Sequence, residues 1–166
     1  MIFWTRTDSP LGELVLVEED GALVQLRQNT SQTEDDEVSE SLKALDPEVY
    51  HQDTPFLNRV EAQLNEYFQG QRTGFDLNYR FHGTDFQRRV WEQIASIPYG
   101  ETLTYGEIAE RIDSPRASRA VGNACGNNPV SIVVPCHRVL AANGGLGGYS
   151  SGIGNKKKLL EIEGIV

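Results

Sequence analysis

Thr104-Tyr105-Gly106-Glu107-Ile108-Ala109-Glu110-Arg111-Ile112-Asp113-Ser114-Pro115-Arg116-Ala117-Ser118-Arg119-Ala120-Val121-Gly122-Asn123-Ala124-Cys125-Gly126 decides the fold of the back half of this chain. Thr104 and Glu107 have the spacing of a capping box, in which each side chain satisfies the other's free backbone N–H. They open a short helix with Ile108, Ala109 and Ile112 facing inward. After a turn of about three residues, Ser114-Pro115 starts a second helix that runs to Gly126. Short helix, tight turn, second helix is the signature of a helix-turn-helix. On that second helix Arg116 and Arg119 share a side, while Ala117, Ser118, Ala120, Gly122 and Ala124 are all small. Small residues let a helix come close to another surface, and arginines suit phosphates and base edges. The same pattern also suits a close-packed interior helix with two solvated arginines, because helix-turn-helix pairs occur as plain packing units.

Upstream of this stretch, Asp85 is the expected cap of a helix with inner residues Phe86, Val90, Trp91 and Ile94, ending before Pro98. The pattern changes around Tyr79 to Gly83, which divides the chain into residues 1–80 and 81–166. The front part opens as a β-meander over Ile2–Thr7, Glu13–Val17 and Ala22–Arg27, with turns at Ser9-Pro10-Leu11-Gly12 and Glu18-Glu19-Asp20-Gly21. Thr33 to Glu40 is acidic and poor in apolar residues, the pattern of an exposed loop. Thr54-Pro55 opens a helix with Phe56, Val60, Leu64 and Phe68 on one face, closed by Gly70. The histidines of this part, His51 and His82, lie in weakly patterned stretches and show no ligand pattern, so the front part reads as a scaffold.

The composition narrows the function classes. At 166 residues, with 39% apolar and 23% charged, the chain can bury a core and is not a disordered tail. No apolar run approaches the roughly 20 residues of a membrane span, and two cysteines cannot by themselves make a disulfide framework or a four-ligand zinc site. A reduced, cytoplasmic protein is the expectation. The net charge of −9 is unevenly placed. Met1–His82 carries 6 Lys and Arg against 16 Asp and Glu, a balance of −10, whereas Gly83–Val166 carries 9 against 8. Charges are screened beyond about 8 Å at physiological salt, so an acidic front part does not veto nucleic-acid binding by the back part. It does argue against a protein that coats nucleic acid without specificity.

Chemistry, if any, lies downstream of the two helices. Ile132-Val133-Val134 reads as a short buried strand that delivers Pro135-Cys136-His137-Arg138-Val139. A free thiol has a pKa of about 8.5, so a nucleophilic Cys136 needs a base, and His137 beside it could take the proton through a water. An acidic partner would orient the imidazole, and Glu163 is a candidate. Buried cysteines are more often inert, and Cys125 reads as a small buried filler. The glycine-dense run Ala141–Gly152 matches neither phosphate-binding fingerprint. It is either a connector or a loop whose bare backbone approaches a ligand. Asn155 is a candidate cap for a last helix, in which Lys156-Lys157-Lys158 oppose the helix dipole and read as a solvated face or an anion contact.

Asn128-Pro129-Val130-Ser131-Ile132-Val133-Val134-Pro135-Cys136-His137-Arg138-Val139 closely resembles the active-site signature of the O6-alkylguanine-DNA alkyltransferases. The likeness continues through Phe86-Gln87-Arg88-Arg89-Val90-Trp91, Ser118-Arg119-Ala120-Val121-Gly122, Gly148-Tyr149-Ser150 and Leu159–Gly164, about half the chain in family order. The resemblance implies a mixed α/β (α+β) protein. Its N-terminal subdomain would be ribonuclease-H-like, with a small antiparallel sheet and a helix. Its C-terminal subdomain would be mostly helical and winged-helix-like, binding DNA and accepting the alkyl group. Cys136 would be the acceptor, with His137 linked to it through water and Glu163 behind the histidine. Asn128 would brace the active-site turn, and Tyr105 would aid flipping and bond the guanine ring. Arg119 would fill the space left by an everted nucleotide, within a DNA contact formed also by Arg116, Ala117 and Ser118. The carbonyls of Cys136 and Val139, the Ser150 amide and Tyr149 would form the base pocket. Duplex DNA would be read from the minor groove by a monomer, with O6-alkylguanine and O4-alkylthymine as candidate lesions. Some members hold zinc in the N-terminal part; here that part has no cysteine, so neither metal nor cofactor is expected. Ser131 stands where some members have proline, which bears on pocket width.

Three other readings differ in what they predict. An alkyltransferase-like protein binds the lesion without transfer, but has another residue where this chain has Cys136. A cysteine hydrolase would need an oxyanion hole and would turn over repeatedly. A sequence-reading regulator would prefer one undamaged duplex sequence over others.

Overall fold

The structure is a computed structural model in which residues 1–29, 32–149 and 151–166 are described. The backbone divides into two compact units, Met1–Arg80 and Phe81–Val166.

The first unit is built on a sheet. Strands β1 (Ile2–Ser9), β2 (Gly12–Glu19) and β3 (Ala22–Gln28) form the expected antiparallel meander, each a residue or more longer than its apolar core suggested. Asp20 and Gly21 both have positive φ at the β2–β3 corner, the conformation of the primed turns that match strand twist. A fourth strand, β4 (Val49–His51), runs parallel to β1, so the sheet order is β3-β2-β1-β4 and the sheet is mixed. With only three residues, two of them exposed, β4 has no alternating signature to read.

The acidic segment is not a loop. It forms helix α1 (Asp35–Leu42), with Asp35, Asp36 and Glu37 in the first turn, where negative charge favours the helix dipole. Two apolar residues suffice to seat it: Val38 and Leu42 join Ile2, Trp4, Val15, Val17 and Val24 in one buried cluster. Trp4 Nε1 donates to Ser39 Oγ at 2.9 Å, and Arg6 donates to Asp35 at 2.7 Å. Helix α2 (Pro55–Phe68) starts where expected, with Thr54 accepting from the Leu57 N–H. Its buried stripe is Leu57, Val60, Leu64 and Tyr67, so Phe56 and Phe68 sit at its margins.

In the second unit, α3 (Asp85–Ala95) begins one residue earlier than a cap at Asp85 allows. Thr84 caps it in a reciprocal box with Gln87, and Asp85 is its first residue. Val90, Trp91 and Ile94 are buried, while Phe86 is only partly so. The helix-turn-helix is present as α4 (Tyr105–Arg111) and α5 (Ser118–Gly126), with the Thr104–Glu107 capping box formed. Ser114-Pro115-Arg116-Ala117 is a turn, closed by Ala117 N–H donating to Ser114 O at 2.9 Å. Pro115 therefore stands at the second position of that turn and does not begin the helix. A short parallel pair, β5 (Leu103–Thr104) with β6 (Val139–Leu140), and a last helix α6 (Ile153–Ile162) complete the unit. Among the described residues no helix is long and apolar enough to cross a membrane.

Trp91 connects the core of this unit to α5. Its ring is buried and its Nε1 donates to Ala124 O at 2.8 Å. Replacing Trp91 with Phe removes that bond and leaves Ala124 O only the Asn127 N–H at 3.1 Å, and urea unfolding should show a loss of about 1 kcal/mol.

Candidate active site

Cys136 is not at the end of a strand. Residues 132–134 turn back on themselves: Ile132 has φ +71°, Val133 N–H donates to Ser131 O at 2.8 Å, and Val134 N–H donates to Val130 O at 3.0 Å. β-branched residues suggest a strand, but here they pack as the buried side of a tight loop. The loop hands the chain to a single 3-10 turn, Cys136–Arg138, with Cys136 at its start and 4% exposed. Asn128 braces the loop from both sides. Its Nδ2 donates to Val134 O at 2.8 Å, and its Oδ1 accepts from Val130 N at 3.0 Å.

Behind Cys136 the turn buries two more functional groups. His137 is fully enclosed, and its Nε2 lies 2.5 Å from Glu163 Oε2, at the C-terminal end of α6. Arg138 donates Nε to Glu163 Oε1 at 2.7 Å, Nη2 to Oε2 at 3.0 Å and Nη1 to Ile97 O at 2.6 Å. Burial pushes the His137 imidazole below its ordinary value and Glu163 pulls it back up, while Arg138 and Lys156 push it down further. Burial pushes the Cys136 thiol up, and hydrogen bonding to Asn128 and Tyr149 together with the charge of Lys156 opposes that rise.

A cleft of about 720 Å³ opens in front of the sulfur, lined by Tyr105, Gly122, Cys125, Cys136, Gly148 and Tyr149, with Arg119 at its edge. Cys125 thus shares the cleft with Cys136, but burial pushes its thiol up to about 12. Burial thus holds Cys125 in its protonated form at neutral pH. Tyr105 stands between α5 and the glycine-rich segment. A Cβ added at Gly122 would lie 3.9 Å from its ring, and one added at Gly147 would lie 2.7 Å from its hydroxyl.

Other expected residues fall in different places. Arg119 and Ser118 are exposed on the first turn of α5. Arg116 is exposed too, but it lies in the preceding turn, so it does not share a helix side with Arg119; Ala117 is the N-cap residue. The Cys136 carbonyl accepts from Val139 N, and the Val139 carbonyl accepts from Lys156 Nζ at 2.6 Å. Ser150 lies outside the described residues. Asn155 is inside α6 and bonds back to Ser151 O; Gly152 occupies the cap position.

Two residues that reading by spacing passed over are Arg138 and Lys156. Lys156 is neither solvated nor an anion contact. It is fully buried, its Nζ also donating to Gly148 O at 3.1 Å and lying 5.9 Å from the centre of the Tyr105 ring. Helical phase is the signal that finds it, because Lys156, Leu159, Leu160 and Glu163 share one face. Among the described residues no group of three His, Cys, Asp or Glu side chains could hold a metal.

A turn that carries a cysteine beside a buried imidazole and carboxylate, opening on a cleft edged by the second helix of a helix-turn-helix, is the arrangement that a DNA-binding enzyme acting through a thiol would require. Comparison with known proteins makes that specific. Residues 2–81 match the 6-O-methylguanine DNA methyltransferase ribonuclease-like domain, and residues 85–165 match the DNA binding domain of the same family. A methylated-DNA–protein-cysteine methyltransferase of Mycobacterium tuberculosis is 47% identical over 163 residues, covering 98% of this chain and 93% of that one. One from Methanosarcina acetivorans is 49% identical over 118 residues, 71% of this chain and 76% of that one. The crystal structure of the M. tuberculosis O6-methylguanine methyltransferase superposes with a TM-score of 0.84 at 44% identity, covering 98% of this chain and 93% of that one. The same organism's protein in complex with DNA gives 0.83 at 42% identity, covering 97% and 92%. The chain belongs to the 6-O-methylguanine DNA methyltransferase family.

Gly147 offers a direct test of the cleft's shape. It has φ +70° and no room for a Cβ beside the Tyr105 hydroxyl, so Gly147→Ala must displace either the loop or the ring. Single-turnover assays on methylated duplex should then show a loss of about one to two orders of magnitude in rate.

Proposed function

We propose that this chain repairs DNA by direct reversal, moving the alkyl group from O6 of guanine onto Cys136 in one irreversible turnover. The observation that carries this reading is the setting of Cys136: it lines the cleft, while the next residue, His137, is held by Glu163 at 2.5 Å. With Nε2 committed to Glu163, His137 acts toward the sulfur through Nδ1, by way of a water.

The damaged atom lies inside a duplex, so the base must leave the stack before a fixed thiolate can reach it. Unstacking costs a few kcal/mol, and Arg119, exposed at the edge of the cleft, offsets it by occupying the vacated space. Arg116, Ala117 and Ser118 flank it on the DNA. The small exposed residues at the start of α5 support close approach from the minor groove. Tyr105 and Tyr149 enclose the base, Val139 and Cys136 offer their carbonyls to its amine, and the Ser150 amide serves O6. The thiol proton leaves by way of His137, and sulfur attacks the alkyl carbon in line. The carbon–O6 bond breaks with its electrons going to guanine, which takes up a proton with Tyr105 as donor. A thioether has no easy hydrolytic exit, and hence the protein acts once.

Residues 81–166 carry every group in this scheme, and residues 1–80 are assigned a supporting role. The protein acts as a monomer in a reducing cytoplasm, consistent with two cysteines that are both free.

Oligonucleotide labelled in the O6-methyl group, mixed with substoichiometric protein, should leave one label per protein on the peptide containing Cys136. Label that stays on DNA would identify a lesion-binding protein, and label released over many cycles would identify a hydrolase. Cys136→Ser should abolish transfer and keep most DNA binding. Arg119→Ala should slow repair in duplex at least tenfold more than reaction with free O6-benzylguanine, since only the duplex substrate must be flipped; equal losses would assign Arg119 another role.

A further inference from the structure

Glu163 is shared between two buried partners, and only one of them has a part in the chemistry above. We propose that Arg138 is a positioning residue that cancels the charge of Glu163 and so sets the pH at which the Cys136–His137 pair gives up its first proton. The proposal rests on the alkyl-transfer reading and goes one step further into the same site.

Both oxygens of Glu163 are engaged by the Arg138 fork, at 2.7 and 3.0 Å, and Oε2 is also the atom that meets His137 at 2.5 Å. The guanidinium is held in that plane by a third bond, Nη1 to Ile97 O at 2.6 Å, and by the Tyr99 ring, 5.6 Å from its centre. Glu163 Oε1 also faces the Gly100 N–H at 3.4 Å. The charged groups that act on the imidazole are therefore Lys156 from α6, Glu163 at the C-cap of that helix, and Arg138 from the turn itself, with the Cys136 thiol the preceding residue of that turn. Fork and carboxylate together carry no net charge, and two parallel N–H···O bonds leave little freedom to separate them.

A carboxylate alone at that distance would bind the proton tightly into the imidazole, and the thiol would have no acceptor near neutral pH. Beside the neutral Arg138–Glu163 pair, the imidazole keeps its orientation and gains less proton affinity. Cys136 and His137 are neighbours in the chain and exchange a proton through a water in the transfer proposed above, so the low-pH limb of the reaction is assigned to the pair. Removing a nearby positive charge raises the pH of the first proton loss whichever of the two loses it. That makes the sign of the effect independent of where the proton rests.

The test is the pH profile of single-turnover transfer from a methylated oligonucleotide, at protein concentrations that saturate binding. In the unaltered protein the low-pH limb should lie below the ordinary imidazole value of about 6.5; a limb at or above that value overturns the proposal. Arg138→Met and Arg138→Gln should move it upward by about one unit. Arg138→Lys keeps the charge but loses the fork, so it should lower the rate severalfold and leave the limb in place. Neutral variants with the limb unmoved, or a lysine variant shifted as far as they are, would reduce Arg138 to a packing role and overturn the proposal. The unaltered protein and the lysine variant decide the matter should the neutral variants not fold. Mapping the label separates the two levels: no label on Cys136 in the unaltered protein removes the transfer reading and this proposal with it. Label on Cys136 with an unmoved limb removes this proposal alone.

Discussion

A carboxylate with no water around it is the constraint about which the second unit is organised. Glu163 has a side chain with no exposure, and leaving such a charge unpaired would cost several kcal/mol. It is therefore met on both oxygens. His137 and Arg138 supply the partners from adjacent positions of one 3-10 turn, and such a short turn lets neighbouring side chains reach the same target. The end of α6, the course of residues 136–138 and the orientation of the imidazole are consequently one problem with one solution. Cys136 is placed by the same solution, because it precedes His137 in that turn.

The second buried charge serves the opposite wall of the cleft. Lys156 Nζ joins the Val139 and Gly148 carbonyls, tying the short strand after Cys136 to the glycine-rich segment. Burial pulls its ammonium below the ordinary lysine value, and the two carbonyls return part of the lost hydration as hydrogen bonds. Its charge bears on both thiols in the cleft, so charge alone does not choose between them. Their settings differ instead: Cys136 begins the 3-10 turn that follows the loop braced by Asn128, whereas Cys125 lies inside α5. Of two sulfurs facing the same space, the proposed acceptor is the one that follows the braced loop.

Legibility in the sequence followed the physics of each element. Capping boxes and strict periodicity are local, and they located α3, α4, α5 and the three-stranded meander to within a few residues. Helix α1 was hidden because two apolar residues and an acidic first turn look like a solvated loop until the tryptophan they cover is known. The stretch Ile132–Val134 was misleading for the opposite reason: its composition fits a strand, but one positive φ and Asn128 bind it into a loop. Arg116 left the helix because proline suited the turn better than the first helical position. The expected contact of His137 with Glu163 formed, yet no spacing rule pointed to Arg138, since its partner is the same carboxylate. Lys156 was readable by phase but was masked by the two lysines that follow it, both of which are exposed.

These pieces join the DNA-facing helix to the sulfur as a single mechanical path. Trp91 fixes Ala124 from the core; α5 ends at Gly126; Asn128 follows and clamps residues 130 and 134; Cys136 comes two residues later. Val130, Ile132 and Val134 of the intervening loop are buried, and backbone hydrogen bonds tie residue 133 to 131 and residue 134 to 130. Under the proposed transfer, the register of α5 against a duplex determines where the thiol sits relative to an everted base. For an in-line displacement such placement matters more than reactivity, because an attacking atom misplaced by about 1 Å can cost a hundredfold in rate. In that transfer, burial slows reaction of the Cys136 thiol with chance electrophiles, and its fixed position directs it to the one carbon presented along its axis. Burial and rigidity then act together, the first protecting the cysteine and the second placing it.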